Sequence, residues 1–365
     1  MSCTQSDLTK ITLALSLPGG AMQNVGLLAS APLMVSDHPE TVRDTMPTSG
    51  VLWHHLYSAS AGPVIHRVFL WHVNGTGISK KIGITIGNGA AVGGPSLRIT
   101  AKRQQGQETS GANYLTLGKC IAKALLGATL DTVTPVDALV TPQHVGLIEE
   151  FTWPNGALQG GEWEITIQQE GNPTGPVSYR LRTVFGPTTA DLRQYQGTPL
   201  PSSDPHVRGG WDDSEIQLTY VFGIPPGQAY TSGIKLADAS ANPPSPDFLL
   251  TKSTSYDSTN ATDNKANFGA IYQNIQLQID NGRETAARTV SIYLGGRGGA
   301  FTGAVSSSLL GSSVSGIPTL SVNSDVVSLG QVSVPAGRGQ NVTVRVAVGG
   351  ASSTPFALYL DSPYP

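Results

Sequence analysis

The chain has 365 residues, enough for two domains of ordinary size. Only 13% of them are charged, against about 25% in an average soluble domain. The formal net charge is −3 with no basic block, which excludes nucleic-acid binding through clustered Lys and Arg, and no apolar run is long enough to cross a bilayer.

The 43 Gly and 25 Pro, with Val, Ile and Thr between them, fit many short strands rather than long helices. So few charges leave two explanations. Either much of the surface is buried in an assembly, or it is hydrated by Ser, Thr, Asn and Gln. The opening residues, MSCTQSDLTKITLALSLPGG, lack the basic start and unbroken apolar stretch of a secretory signal. Cys3 and Cys120 form neither a disulfide framework nor a metal spacing. A bond between them and a buried free thiol at Cys120 both stay open.

Ile11 to Leu17 and Val25 to Val35 are apolar runs split by Pro18-Gly19-Gly20, which predicts a first strand pair. A polar loop then leads to a strand at Val51 to Ser58. Val64 to Val73 is β-branched and aromatic, Asn74-Gly75 is a turn dipeptide, and Lys80 to Gly87 alternates with Ile82, Ile84 and Ile86 on one face. That pattern predicts a β-hairpin, and Asn88-Gly89 predicts a second turn straight after it. Ser96 to Arg103 alternates with one wet face. Asn113 to Leu126 is the one convincing helix: Tyr114, Leu117, Ile121, Ala124 and Leu125 make an apolar stripe, Ser110 or Asn113 can cap its start, and Gly127 its end. It is expected to close an open end or edge of a β-sandwich.

Further strands are expected at 130–134, 146–152, 163–169 and 177–185. Gly186 to Gly210 holds Pro187, Pro199, Pro201 and Pro205 without periodicity and reads as a linker. Glu215 to Phe222 alternates cleanly, and residues 236–266 read as a long polar loop. Phe268 to Ile279, Asn281-Gly282 and Ala287 to Leu294 repeat the strand–turn–strand unit. Short strands at 319–322, 326–334, 342–348 and 356–360 follow.

His54, His55, His66 and His72 lie close in sequence. Residues two apart on a strand share a face, so His66 and His72 point the same way. With His54 from a paired strand they would offer three imidazoles to Zn²⁺ or Cu²⁺. The competing reading is histidines satisfied within the sheet. No GxSxG is present, and no Ser, His and Asp are placed to nominate a triad. Glu149-Glu150, Glu162 with Glu164, and Asp212-Asp213 are carboxylate pairs such as a glycosidase uses, and such as solvated strand ends carry. Gly295-Gly296-Arg297-Gly298-Gly299 has no helix after it, so a tight loop with an exposed Arg is expected rather than a phosphate cradle. Asp257, Asp263 and Asn264 are Ca²⁺-type ligands outside EF-hand spacing. Trp71 and Trp163 are expected in the core. Trp153, before Pro154-Asn155-Gly156, and Trp211, beside two aspartates, are expected on loops where a ring can stack on sugar. Asn74, Asn260 and Asn341 head N-x-S/T triplets.

The stretches FLWHVNGTG, IGITIGNGA and NYLTLGKCIAKALL, and later FGAIYQNIQLQIDNGRETAARTVSIYLGGRGGAFTGAV, resemble a poorly characterised group of bacterial secreted, all-β proteins. Some of that group are joined to copper-amine-oxidase-N-terminal-like domains. The shared motifs are structural, so the resemblance carries over no catalytic residue and no copper chemistry. Lacking the group's secretory signal and repeat domain, the chain is expected to be a virion or phage-borne relative.

Together these readings predict an all-β protein of two β-sandwich domains, jelly-roll or Ig-like. The first spans 1–187 with the helix at 113–126, a linker spans 188–210, and the second spans 211–365. The expected role is that of a non-catalytic structural subunit of an external assembly: a virion decoration or capsid-associated protein, or a cell-surface fibre. Its expected partners are copies of itself or a scaffold, with no cofactor, no nucleic acid and no membrane span. Its expected place is extracellular or on a virion surface. The alternatives are a carbohydrate-binding module holding cell-surface glycan on Trp153 or Trp211, and an extracellular glycan hydrolase.

Overall fold

The computed structural model describes residues 7–15, 19–59, 62–171, 175–201, 203–247, 261–283 and 285–364. In chain order the strands begin with β1 (Lys10–Thr12), β2 (Met22–Leu28), β3 (Leu33–Ser36), β4 (Thr41–Arg43), β5 (Gly50–Ala59), β6 (Val64–Gly75), β7 (Lys80–Asn88) and β8 (Ser96–Glu108). Helix α1 (Gly111–Leu126) follows, then β9 (Asp131–Val133), β10 (Leu139–Val140), β11 (Val145–Trp153), β12 (Leu158–Glu170), β13 (Val177–Pro187) and β14 (Arg208–Trp211). The remainder are β15 (Glu215–Gly223), β16 (Tyr230–Leu236), β17 (Ile271–Asp280), β18 (Arg288–Gly296), β19 (Phe301–Ser307), β20 (Ser315–Leu320), β21 (Asp325–Val334), β22 (Gly339–Val348) and β23 (Phe356–Ser362).

These strands build two sandwiches, and the protein is all-β. In the first, an eight-stranded sheet (β10-β8-β12-β6-β3-β14, with β4 beside β6 and β9 beside β8) packs on a four-stranded sheet (β11-β7-β13-β5). In the second, a six-stranded sheet (β2-β15-β17-β22-β19-β20) packs on a five-stranded one (β1-β21-β18-β23-β16). Alternation fills both interiors. Ile82, Ile84 and Ile86 of β7 meet Trp163, Ile165 and Ile167 of β12, while Leu218, Leu277 and Val344 of the six-stranded sheet meet Ile292 and Leu358 of the other.

The predicted hairpins are absent. β6 and β7 lie in opposite sheets, as do β7 with β8 and β17 with β18, so each Asn-Gly pair marks an arch that crosses the sandwich. A type I′ hairpin turn needs φ > 0 at both central residues. None of Asn74, Gly75, Asn88, Gly89, Asn281 or Gly282 is among the positive-φ residues. The asparagines are instead buried braces. Asn74 Nδ2 donates to the Ile78 and Trp153 carbonyls at 2.9 and 2.7 Å. Asn88 Nδ2 donates to Pro95 and Val140 at 3.1 and 2.9 Å. Asn281 Nδ2 reaches Ala286 and Val334, both at 3.0 Å. Each satisfies carbonyls that an arch, lacking a ladder partner, would leave unpaired. The unit shared by the two halves is therefore real but serves a different turn.

Division in space does not follow division in sequence. The two runs expected to pair with each other do not: β1, from the first, joins the second sandwich against β21, and the second run divides between β2, which joins it against β15, and β3, which stays in the first sandwich beside β6. The segment expected as a linker is packed. Leu192 is buried with Val51, Leu147 and Val184 on the outer face of the four-stranded sheet, Leu200 N–H donates to the Val51 carbonyl at 2.9 Å, and β14 pairs with β3.

The helix starts at Gly111, with Ser110 at the cap position but making no side-chain cap bond. The left-handed residue at its end is Ala128 (φ 52) rather than Gly127. It does not close one sandwich. It lies between the two, against β8 and β12 on one side and β19, β20 and β22 on the other. Gly118 permits the close approach, since a Cβ there would come within 2.1 Å of the Gly350 carbonyl oxygen. Cys120, on this helix, is disulfide-bonded; Cys3 lies outside the described residues.

The space between the sandwiches is core. Leu33, Val35, Phe69, Trp71 and Leu158, from the outer face of the eight-stranded sheet, belong to the same apolar cluster as the second interior. Phe69 stacks between Trp71 (5.9 Å, 10°) and Phe268 (5.4 Å, 6°).

Candidate functional site

The predicted imidazole site does not form. β5 pairs with β13 and not with β6, so His54 belongs to the four-stranded sheet and His66 and His72 to the eight-stranded one. His66 and His72 do share a face, each reaching toward the four-stranded sheet: His66 Nε2 hydrogen-bonds the Tyr179 hydroxyl, and His72 meets Ser36, which contacts Thr183. Six residues of strand hold them roughly 20 Å apart, with Val68 and Leu70 between them in the core. No group of three His, Cys, Asp or Glu able to hold a metal occurs among the described residues. His66 instead joins an aromatic cluster with His55, Tyr57 and Tyr179, and its ring lies 4.2 Å from that of Tyr57. Burial pushes His55 down to about 4 and, with His55 beside it, His66 to about 3, so both imidazoles are neutral near pH 7.

A Ser–His pair that no sequence motif announced lies nearby. Ser36 on β3 and His72 on β6 meet because those strands run side by side. His72 Nδ1 donates to the Pro39 carbonyl at 2.7 Å, which leaves Nε2 to accept from Ser36 Oγ at 2.8 Å. This is the arrangement of a nucleophile and its general base, and burial, the largest influence, lowers His72 to about 4. Both side chains are 0% exposed, however. Thr183 Oγ1, 2.6 Å from Ser36 Oγ, accepts from the Trp53 N–H at 3.0 Å. The result is a polar bridge between the two sheets, sealed from substrate.

The carboxylate pairs separate in the same way. Glu149 accepts from Arg103 Nε at 2.7 Å and from Trp163 Nε1 at 2.9 Å, and Glu150 pairs with Lys81 at 2.7 Å. Asp213 accepts from the Ser30 N–H at 2.8 Å, while Asp212 is exposed. Glu162 and Glu164 share one face of β12, with Arg67 3.4 Å from Glu164. Burial pushes Glu162 up to about 8, against the pull of Arg67. A buried acid with a raised pKa beside a second carboxyl is the pattern of a general acid and its partner. Glu162 is 1% exposed, though, and Gly269 covers it so closely that a Cβ there would sit 3.3 Å from Glu162 Oε1.

All five tryptophans are exposed by 1% or less, so Trp153 and Trp211 offer no platform for sugar. Trp153 ends β11 with Nε1 donating to the Ala157 carbonyl at 2.9 Å, and the tight turn after it folds the ring inward. Trp211 ends β14 opposite Leu33 and enters the inter-sandwich core. Arg297 is not an exposed loop cation: it donates to the Tyr359 hydroxyl and, at 2.7 Å, to the Leu15 carbonyl. Asn264 is spent on Phe268, donating to its carbonyl at 2.8 Å and accepting from its N–H at 2.9 Å. Asn341 is exposed, Asn74 is buried, and Asn260 and Asp257 lie outside the described residues.

What the surface does offer is polar. One open groove of about 640 Å³ runs between the end of β8, beyond its pairing with β9 and β10, and β11, the edge of the four-stranded sheet, past Gln105, Gln107, Glu108, Glu150 and Phe151. Inside it Gln107 Nε2 donates to the Gln159 amide oxygen and Gln159 Nε2 to that of Gln105, both at 2.9 Å, which ties the groove's floor together. A second depression, of about 300 Å³, lies on the outer face of the six-stranded sheet. No helix among the described residues is long and apolar enough to cross a membrane.

No family model matches the chain, and no curated protein matches it. Among solved structures, recombinant pro-11S globulin of pumpkin aligns over 86% of this chain and 85% of its own, at 9% identity and a TM-score of 0.09. A likeness so slight carries no argument.

Proposed function

We propose that the protein is a non-catalytic structural subunit of an external assembly, with copies of itself or a scaffold as its partners. One observation carries this reading: the two sandwiches share a single core. A cleft between domains is where a two-domain chain usually keeps a binding or active site. Here that space holds Phe69, Trp71, Leu117 and Phe268. The sandwiches therefore behave as one rigid block rather than as jaws. The Ser–His pair and the raised Glu162 fit the same reading, because each is built into the interior as a brace.

Light scattering of the full chain, with negative-stain images, tests the proposal. Rings, fibres or defined oligomers are expected, alone or on adding a scaffold fraction. A monomer at every concentration that never joins a particle would refute it.

A further inference from the structure

We infer that the outer face of the six-stranded sheet is a binding site for a neutral glycan. This goes beyond the structural role, and either can fail while the other stands. Four side chains lie in one row across four strands: Gln23 opposite Thr219, Thr219 opposite Gln276, and Gln276 opposite Thr343. Gln217 and Asn274 pair in the next row. Neighbouring strands are about 4.8 Å apart and same-face residues roughly 7 Å apart along a strand, so the six form a grid of amides and hydroxyls.

The grid is shaped as well as polar. On one side of β15, β2 carries an extra residue at Asn24–Val25, where Asn24 takes φ +50. On the other side, β17 carries an extra residue at Gln273–Asn274. Bulges bend a sheet and re-aim its side chains. Between these two lies the depression of about 300 Å³ lined by Asn24, Gln217, Thr219, Asn274, Gln276 and Thr343. That volume is at the small end of ligand sites, about 300–1,000 Å³.

The lining decides the ligand. It holds no carboxylate, ammonium, guanidinium or imidazole, and Arg345, the guanidinium beside it on β22, is engaged by Gln273 Oε1 at 2.7 Å, so an uncharged ligand fits the lining better than phosphate, sulfate or a cation. Amides and hydroxyls both donate and accept, which matches the vicinal hydroxyls of a sugar. Val221, 39% exposed, stands beside Gln278 at the end of the grid and supplies an apolar contact for a ring's C–H face.

The test is affinity electrophoresis of the full chain through gels holding hydroxyethylcellulose, amylopectin, galactomannan or dextran, with polygalacturonate and heparin as charged controls. Retardation by at least one neutral polymer is expected, unchanged between about 0.05 and 0.5 M salt because no ion pair is involved. Gln276→Ala should weaken it about five-fold, and Gln217→Ala with Gln276→Ala about 25-fold, at roughly one lost hydrogen bond each. Thermal melts confirm that these surface variants fold. Three results would overturn the inference: no retardation by any neutral polymer, retardation only by the charged ones, or retardation unchanged in the folded double variant. A native dimer that the double variant splits would overturn it too, assigning the face to a second copy of the chain.

Discussion

Glu162→Gln isolates one buried acid and makes a numerical prediction. The carboxyl sits under Gly269 between the sandwiches, and burial raises it from its ordinary 4.5 to about 8. Below pH 4.5 folded and unfolded chains both hold the proton, and the group takes nothing from stability. Between 4.5 and 8 the unfolded chain releases the proton while the folded chain keeps it, so stability falls as pH rises. The slope is about 1.4 kcal/mol per pH unit, hence on the order of 5 kcal/mol by pH 8. Glutamine keeps the shape and cannot ionise. Urea unfolding of both proteins at pH 5, 6.5 and 8 should therefore give curves that diverge, with the variant gaining about 2 kcal/mol on the native chain between pH 6.5 and 8. Parallel curves across that range would show that Glu162 is not sealed as described.

On the acid side, His55, His66 and His72 are lowered to about 4, 3 and 4 by burial. The unfolded chain takes up protons below pH 6.5 that the folded chain refuses, so stability should fall by up to about 1.4 kcal/mol per pH unit for each histidine; His66→Gln should flatten the acid limb of a melting-temperature profile. Trp71→Ala should cost about 3–5 kcal/mol and leave a single calorimetric transition, because the ring belongs to both sandwiches; two separate transitions in the native chain would contradict the shared core. Trp153→Ala should lower the melting temperature by a comparable energy and leave retention on any neutral polymer unchanged once folding is confirmed. Deleting residues 1–28 should expose β15 and β21 as open edges and lower stability or solubility, seen as aggregation by light scattering, whereas a purely first-sandwich role for this segment predicts no such effect.

Patterns local to one element were legible in the sequence. The stripe Tyr114, Leu117, Ile121 located the helix, and the spacing of His66 and His72 placed them on one face. Partner choice was not legible. β1 and β2 pair more than 180 residues away, and nothing in an apolar run such as ITLALSL states which edge will receive it. Asn-Gly misled for a related reason. The dipeptide permits a tight turn, but a buried asparagine amide serves equally well to hold the carbonyls of an arch, and only the destination of the next strand separates the two. Trp153 and Trp211 stand beside turn residues, which describe the backbone and leave the direction of the ring open. Ser36 and His72 share no motif, because the parallel pairing of β3 with β6 alone brings them together.

The low charge of the chain can now be assigned to places. Arg67, Arg103, Arg193 and Lys81 are tied to carboxylates within the chain, so part of an already small complement is spent internally. On the outer face of the six-stranded sheet the helix covers Ile271, Ala304 and Ala347, Glu215, Asp280 and Arg345 stand at the margins, and the patch between is left to glutamine, asparagine and threonine. Of the two explanations open at the outset, hydration by amides and hydroxyls accounts for this face. Such a surface attracts no counter-charge and repels no neighbouring copy, so neither glycan nor a second subunit meets an electrostatic barrier there. What separates them is shape. Two bulges leave a depression rather than a flat plane, and two identical concave faces would meet at their rims with a void between them. The same depression is sized for a sugar, which is why the neutral glycan is the occupant the geometry favours.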